Sequence, residues 1–321
     1  MQAQLQTGPA CPAHQAKLLT GLTGHMGTVT ALAFSPDRRL LASGDRNGGG
    51  RVWDLGAAKP GERSSFRVPD SVRSLAFAPN GRLLAAGSAS GTVALFDVSD
   101  RAAAEIRALR GGQRPIDALA FSSDGKLVAG AGEDQTLRVW EPASTAGSEA
   151  RTLLPGHTRP IRALAFAPDG AGVATAAHDG TVRVWALSRI RSSQRAALPH
   201  PLGADVVAYS PDGKTVATAG PDGAVRLWDL TAIKPTVRTE IAAPAGGVRL
   251  VMFTPDGGTL VGAGAGGRVT TWDGRTGEPR NVWELPAGAA TSVALTPDGR
   301  YLARGTADGV IEVYRVAEKR G

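Results

Sequence analysis

Residues Gly156–Trp185 read GHTRPIRALAFAPDGAGVATAAHDGTVRVW. Three apolar runs lie in this stretch, Ile161–Ala167, Gly172–Ala176 and Thr181–Trp185. The break between the first two is Pro168-Asp169-Gly170: proline pre-sets φ at the first central residue of a turn and glycine accepts positive φ at its end. The second break holds Asp179-Gly180, a pair suited to a two-residue hairpin. Apolar runs of about five residues bounded by such turns are strands. The stretch predicts a three-stranded meander.

The meander recurs. Aligned on Phe166, the residue that ends its first strand, the equivalents are Phe34, Phe77, Phe121, Tyr209, Phe253 and Leu295, spaced by 43, 44, 45, 43, 44 and 42 residues. The third-strand aromatics Trp53, Phe96, Trp140, Trp185, Trp228, Trp272 and Tyr314 repeat the same series of spacings. Every length change therefore falls between copies. The copies span about 24–55, 71–98, 111–141, 156–187, 200–230, 246–273 and 291–316. A fixed period near 43 residues is the signature of a repeat architecture.

Gly24-His25 and Gly156-His157 open two copies, and Trp53-Asp54, Trp228-Asp229 and Trp272-Asp273 close three, with Phe96-Asp97 and Trp140-Glu141 as near versions. On these pairs the chain resembles the WD40-repeat family over residues 16–316. The resemblance implies an all-β, seven-bladed β-propeller with four-stranded antiparallel blades around a central channel. Seven copies would leave the last blade one strand short. The segment AKLLTGL, residues 16–22, precedes Gly24-His25 as ARTLLP precedes Gly156-His157, so it is expected to complete that blade and close the ring. Closure removes exposed sheet edges. Residues 1–15 and 317–321 are expected to be unstructured tails.

The family also carries a structural tetrad of His, Ser or Thr, Asp and Trp. In this chain the residue types are complete at His157, Thr175, Asp179, Trp185 and at His200, Thr218, Asp222, Trp228. The first repeat has His25, Ser43 and Trp53, but Asn47 stands at the Asp position. The other four repeats lack the His, and their blades are expected to rely on packing alone. The logic of the tetrad is physical: four buried polar groups that bond one another avoid the cost of burying each unpaired.

Composition bounds the function. The 321 residues are 42% hydrophobic but 5% aromatic, so Ala, Val and Leu must fill most of the space between blades. The lone cysteine, Cys11, permits no internal disulfide, which favours a reducing, cytoplasmic setting. Cys11 and His14 are too few ligands for a metal site, and no metal or other cofactor is expected. No apolar run of about 18 residues exists to span a membrane, and no membrane association is expected. The N-terminus has no basic and apolar segments of a signal peptide. The formal charge of +7 permits acidic partners without demanding nucleic acid, which is not the expected partner.

No catalytic set stands out. His25, His157 and His200 occupy the structural position and His14 the tail, which leaves His178 as the spare imidazole inside a repeat. Asp37, Asp124, Asp169, Asp212, Asp256 and Asp298 recur at one turn position, which points to turn chemistry. The glycine-rich turn Asn47-Gly48-Gly49-Gly50 is followed by a strand, not by the helix start a phosphate cradle needs. Trp283, in NVWELP, is either the apolar anchor of the sixth blade's outer strand or a partial surface anchor.

In the family, partners often sit on the top rim, at the residue four before the first-strand aromatic and at the residue before the turn Asp. Transferred position by position, the first set reads Thr30, Arg73, Asp117, Arg162, Asp205, Arg249, Thr291, and the second Arg46, Ala89, Glu133, His178, Pro221, Ala265, Ala307. The charged members, Arg46, Arg73, Asp117, Glu133, Arg162, His178, Asp205 and Arg249, are the candidate partner-binding residues. The alternation Arg, Asp, Arg, Asp, Arg over blades two to six fits a ring of ion pairs or a charged platform for a peptide. A second basic feature is the loop SRIRSSQR, with Arg189, Arg191 and Arg195, either a solvated loop or a docking point for an acidic or phosphorylated partner. The expected function is that of a non-catalytic protein-interaction scaffold, a monomeric propeller within a larger complex. The alternatives are anionic-ligand or nucleic-acid binding through the basic loop, and a metal or enzyme propeller using the channel.

Overall fold

The computed structural model describes residues 13–143, 147–243, 247–264 and 266–316. Residues 1–12 of the expected N-terminal tail, the expected tail 317–321, residues 144–146 after the third repeat, residues 244–246 at the expected start of the sixth, and Ala265 lie outside the described residues. Two short strands come first, β1 (Ala13–Gln15) and β2 (Lys17–Leu22). Blade one follows as β3 (Val29–Phe34), β4 (Leu40–Asp45), β5 (Gly49–Asp54) and β6 (Gly61–Arg67), paired antiparallel in that order. The same order repeats in blades two to six, and blade seven has three strands of its own. The ring of seven blades is the architecture the family resemblance implied.

Burial explains the residue usage within a blade. Every residue of β4, LLASGD, is buried, because neighbouring blades cover both faces of a second strand. Such strands read as continuous apolar and small runs. The outer strand β6 alternates, with Ser64 and Phe66 inside and Glu62, Ser65 and Arg67 outside. The core is divided into seven clusters, each shared by two adjacent blades; one joins Val52 and Phe66 of blade one to Leu84 and Phe96 of blade two. Stability is thus built from nearest-neighbour interfaces.

β2 pairs antiparallel with Ile311–Arg315 and supplies the missing strand of blade seven. The expectation that residue 15 ends an unstructured tail is corrected. β1 pairs parallel with Pro279–Glu284 and adds a fifth strand to blade six. The open edge of that outer strand offers backbone groups that three residues can satisfy, and the His14 ring lies 5.9 Å from the Trp283 ring. Between β1 and β2, Ala16 donates its N–H to Glu284 O (2.9 Å) and is itself buried. The N-terminal chain therefore straddles the seam between blades six and seven. At that seam the innermost strands make little contact, whereas at the other six interfaces they pack directly. Trp283 is buried in the six–seven core, as the apolar anchor of its edge.

Candidate interaction site at the channel mouth

The first strands of blades one to four share an irregularity. Their pairing slips between first and third residues, at Val29/Ala31, Val72/Ser74, Ile116/Ala118 and Ile161/Ala163. The residues passed over are Thr30, Arg73, Asp117 and Arg162. A bulge re-aims a side chain out of the pleat, and here it directs these four toward the channel. In blades five to seven the equivalents Asp205, Arg249 and Thr291 sit one residue before the strand, their N–H groups held by the carbonyls of Ala219, Ala263 and Gly305. All seven line one cavity of about 730 Å³ at the mouth of the channel.

The charges there do not form the closed alternating ring that the sequence allowed. Arg73 and Arg162 both bind Asp117, through Nε–Oδ1 (2.9 Å) and Nη1–Oδ2 (3.2 Å). The Asp117 side chain is 8% exposed, while the two arginine side chains are 36% and 38% exposed. Asp205 pairs instead with Nε2 of His178 (2.7 Å). Arg249 is exposed, and no carboxylate among the described residues pairs with it. The two threonines stitch blades together: Thr30 donates to Val72 O (2.5 Å) and Thr291 to Val29 O (2.7 Å). Arg46 and Glu133 lie outside the wall of the cavity.

In blade four, His157 Nδ1 bonds Asp179 Oδ2 (2.8 Å), its Nε2 bonds Thr175 Oγ1 (2.7 Å), and the Trp185 indole donates to the same hydroxyl (2.8 Å). Blade one forms the same chain through His25, Ser43 and Trp53, which corrects the reading that its carboxylate is missing. Asp45, two residues before Asn47, accepts from His25 (2.8 Å) and from the N–H groups of Asn47 and Gly49. A Cβ on Gly49 would stand 2.9 Å from that carboxylate, so the glycine-rich turn makes room for it. Blade five, with all four residue types, does not close: Trp228 donates to Thr218 (2.9 Å), but Arg226 takes Asp222 (2.5 Å) and lies 3.1 Å from His200 Nε2. Burial holds His25, His157 and His200 below the ordinary imidazole pKa, and in blade five the Arg226 cation adds to it.

Blade seven also departs from packing alone. Arg304 occupies the hydroxyl position, 3% exposed. It donates through Nε to Glu312 (2.8 Å), through Nη1 to Pro286 O (2.9 Å) and through Nη2 to the Tyr314 hydroxyl (3.0 Å). Blades three and six use glycine there. A Cβ on Gly130 or Gly262 would stand 2.9 or 2.7 Å from the ring of Trp140 or Trp272, so each indole fills the vacated space.

Of the basic loop, Arg195 is committed to structure, its Nη2 donating to Leu230 O of the next blade (3.0 Å). Arg63 does the same to Ser99 O (2.5 Å), and Arg238 to Gly274 O (3.5 Å). Part of the arginine excess thus clips blades together. Arg189 and Arg191 stay exposed. Five of the six recurrent turn aspartates accept from a hydroxyl two residues back, as Ser210 to Asp212 (2.5 Å), and all six accept from a backbone N–H two residues on; Asp169, preceded by Ala167, has the N–H bond alone.

Seven antiparallel blades around a channel, closed by an N-terminal strand, define a β-propeller. The WD40 family, described as WD domain, G-beta repeat, matches residues 16–54, 62–97, 104–141, 147–186 and 201–229. That is more than half of the chain, and the chain belongs to this family. No curated protein matches it. Blades six and seven, beyond the matched segments, keep the same strand order.

Proposed function

We propose that this chain is a non-catalytic protein-interaction platform and that its channel mouth receives an acidic segment of a partner protein. WD40 propellers commonly serve as interaction scaffolds, which supplies the coarse class. The carrying observation is the charge balance of the mouth. Arg73, Arg162 and Arg249 face one cavity. Asp117 is divided between two of these cations, and Asp205 is taken by His178. Guanidinium donors are left over, and a guanidinium recognises a carboxylate bidentately. Among the described residues, the wall carries no aromatic side chain. Aromatic anchors usually dominate interface energies, so the affinity is modest and falls with salt.

The test compares proteins captured from the native host by the full chain and by its Arg162→Glu/Arg249→Glu variant, identified by mass spectrometry. A melting curve confirms that the variant folds. Loss of the captured set from the folded variant is expected. An unchanged set overturns the assignment of the mouth.

A further inference from the structure

The end of the ring opposite the mouth carries the loops that join each third strand to its outer strand. Two neighbouring loops, 187–192 in blade four and 230–235 in blade five, differ from the others. Ile190 and Ile233 are 98% and 104% exposed, the most exposed aliphatic side chains among the described residues. Arg189 and Arg191 flank the first and Lys234 follows the second. All three cations are exposed, and no carboxylate among the described residues pairs with them.

A single exposed aliphatic residue needs no explanation, but apolar groups gathered with unpaired cations do. These loops are gathered and held. Arg195, just past the first loop, donates to Leu230 O at the start of the second (3.0 Å), which ties the two loops together beside a cleft whose wall also holds Asp169 and Asp212. Ser188 donates its N–H to Ser192 Oγ (3.1 Å) and accepts from Ile190 N–H (3.1 Å), which fixes the first loop with its isoleucine outward. Asp229 accepts the Thr231 N–H (2.8 Å) and hydroxyl (2.6 Å), which turns this carboxylate into its own loop.

We propose that these two loops dock the propeller on an anionic lipid bilayer. Ile190 and Ile233 enter the headgroup layer, while Arg189, Arg191 and Lys234 meet lipid phosphates. Projecting apolar tips suit a deformable interface, and the flanking cations supply attraction to its negative surface. No spanning segment is needed, and the channel mouth, at the other end of the ring, stays open to a partner.

The test is co-sedimentation of the full chain with vesicles of phosphatidylglycerol and phosphatidylcholine at about 3:7, against phosphatidylcholine alone, in about 0.1 M salt. Binding to the anionic vesicles alone is expected. Arg189→Ala/Arg191→Ala should weaken it by about 25-fold, roughly fivefold per cation. Ile190→Asp/Ile233→Asp should weaken it at least about tenfold. Lys59→Ala/Arg101→Ala, which removes two cations from loops of blades one and two at the same end, should change it less than about twofold. Melting curves check that each variant folds. Three results overturn the proposal: no binding by the unaltered chain, no loss in the isoleucine variant, or an equal loss in the Lys59/Arg101 control. The second would reduce the contact to diffuse polyanion adsorption, of the kind an acidic protein or nucleic acid would also show.

Discussion

Blades four and five carry the same polar quartet at the same register, and only blade four joins it. The difference lies around the carboxylate. Asp179 receives His157, the N–H of Thr158 (3.1 Å), and the N–H and hydroxyl of Thr181 (3.0 and 2.7 Å). In blade five the residue after His200 is Pro201, which has no N–H to give, and Thr181 is replaced by Ala224, which has no hydroxyl. Asp222, short of two donors, takes the guanidinium of Arg226, which Glu240 on the outer strand also holds (3.3 Å). The arginine at the equivalent place in blade four, Arg183, goes to Gln194 instead (2.7 Å). A set of side chains becomes a network only where its neighbours complete the donor count.

This comparison predicts unequal losses from equal substitutions. Asp179→Ala strands a buried imidazole N–H, a hydroxyl and two backbone donors and should cost about 3 kcal/mol. Asp222→Ala leaves Arg226 with Glu240 and should cost about 1 kcal/mol. Urea unfolding of both variants measures the two values, and equal losses would show that the carboxylates do the same work. Next in size are the hydroxyls. Thr175 bridges His157 and Trp185, whereas Thr218 serves Trp228 alone. Thr175→Val should cost about 2 kcal/mol and Thr218→Val about 1 kcal/mol.

The period was legible because two aromatic markers keep one register through all copies, and the mouth positions came from the family resemblance, laid onto this chain in that register. What escaped was local donor arithmetic. The His200-Pro201 pair was visible in the chain, yet only the geometry shows which bond its missing N–H removes. Asp45 was hidden because its carboxylate reaches His25 from the end of β4 instead of from the turn. Arg304 reads as a polar intrusion in a buried strand until its cross-strand partner Glu312 and Tyr314 are placed beside it. β1, the tripeptide AHQ, has no apolar pattern at all, since its pairing is set by the open edge it meets. The pairing of Asp205 with His178 joins two rim positions of adjacent blades, a contact between sets that the position-by-position transfer kept apart.

A smaller effect separates the two blades by pH. The three buried histidines have folded-state pKa values below the ordinary one, so as the pH falls the unfolded chain takes up their protons first. Their stabilising contribution is therefore full above about pH 6.5 and is lost progressively below it. In blade four Asp179 is the strongest influence after burial and favours the protonated ring against a weaker Arg183, whereas in blade five Arg226 is the strongest after burial and disfavours it against a weaker Asp222. Melting temperatures followed from pH 7.5 toward about pH 5 should drop less in His200→Gln than in His157→Gln. The reverse order would mean that Asp222, 3.7 Å from the His200 ring, governs that site despite Arg226.

The smallest change should convert one blade into the other. Pro201→Thr with Ala224→Thr returns to Asp222 the N–H and the hydroxyl that Asp179 enjoys. Each restored hydrogen bond is worth about 1 kcal/mol, and losing the proline frees the unfolded chain by about 0.4–1 kcal/mol in opposition. A net gain of about 1 kcal/mol in urea unfolding follows. The gain should come with a new hydrogen bond at His200, seen as a downfield imidazole N–H proton resonance, because Asp222 would then exchange Arg226 for the ring. A stability gain without that resonance would show that the new donors merely add to the arginine. Glu240, which anchors Arg226 from the outer strand, would then be what keeps blade five open.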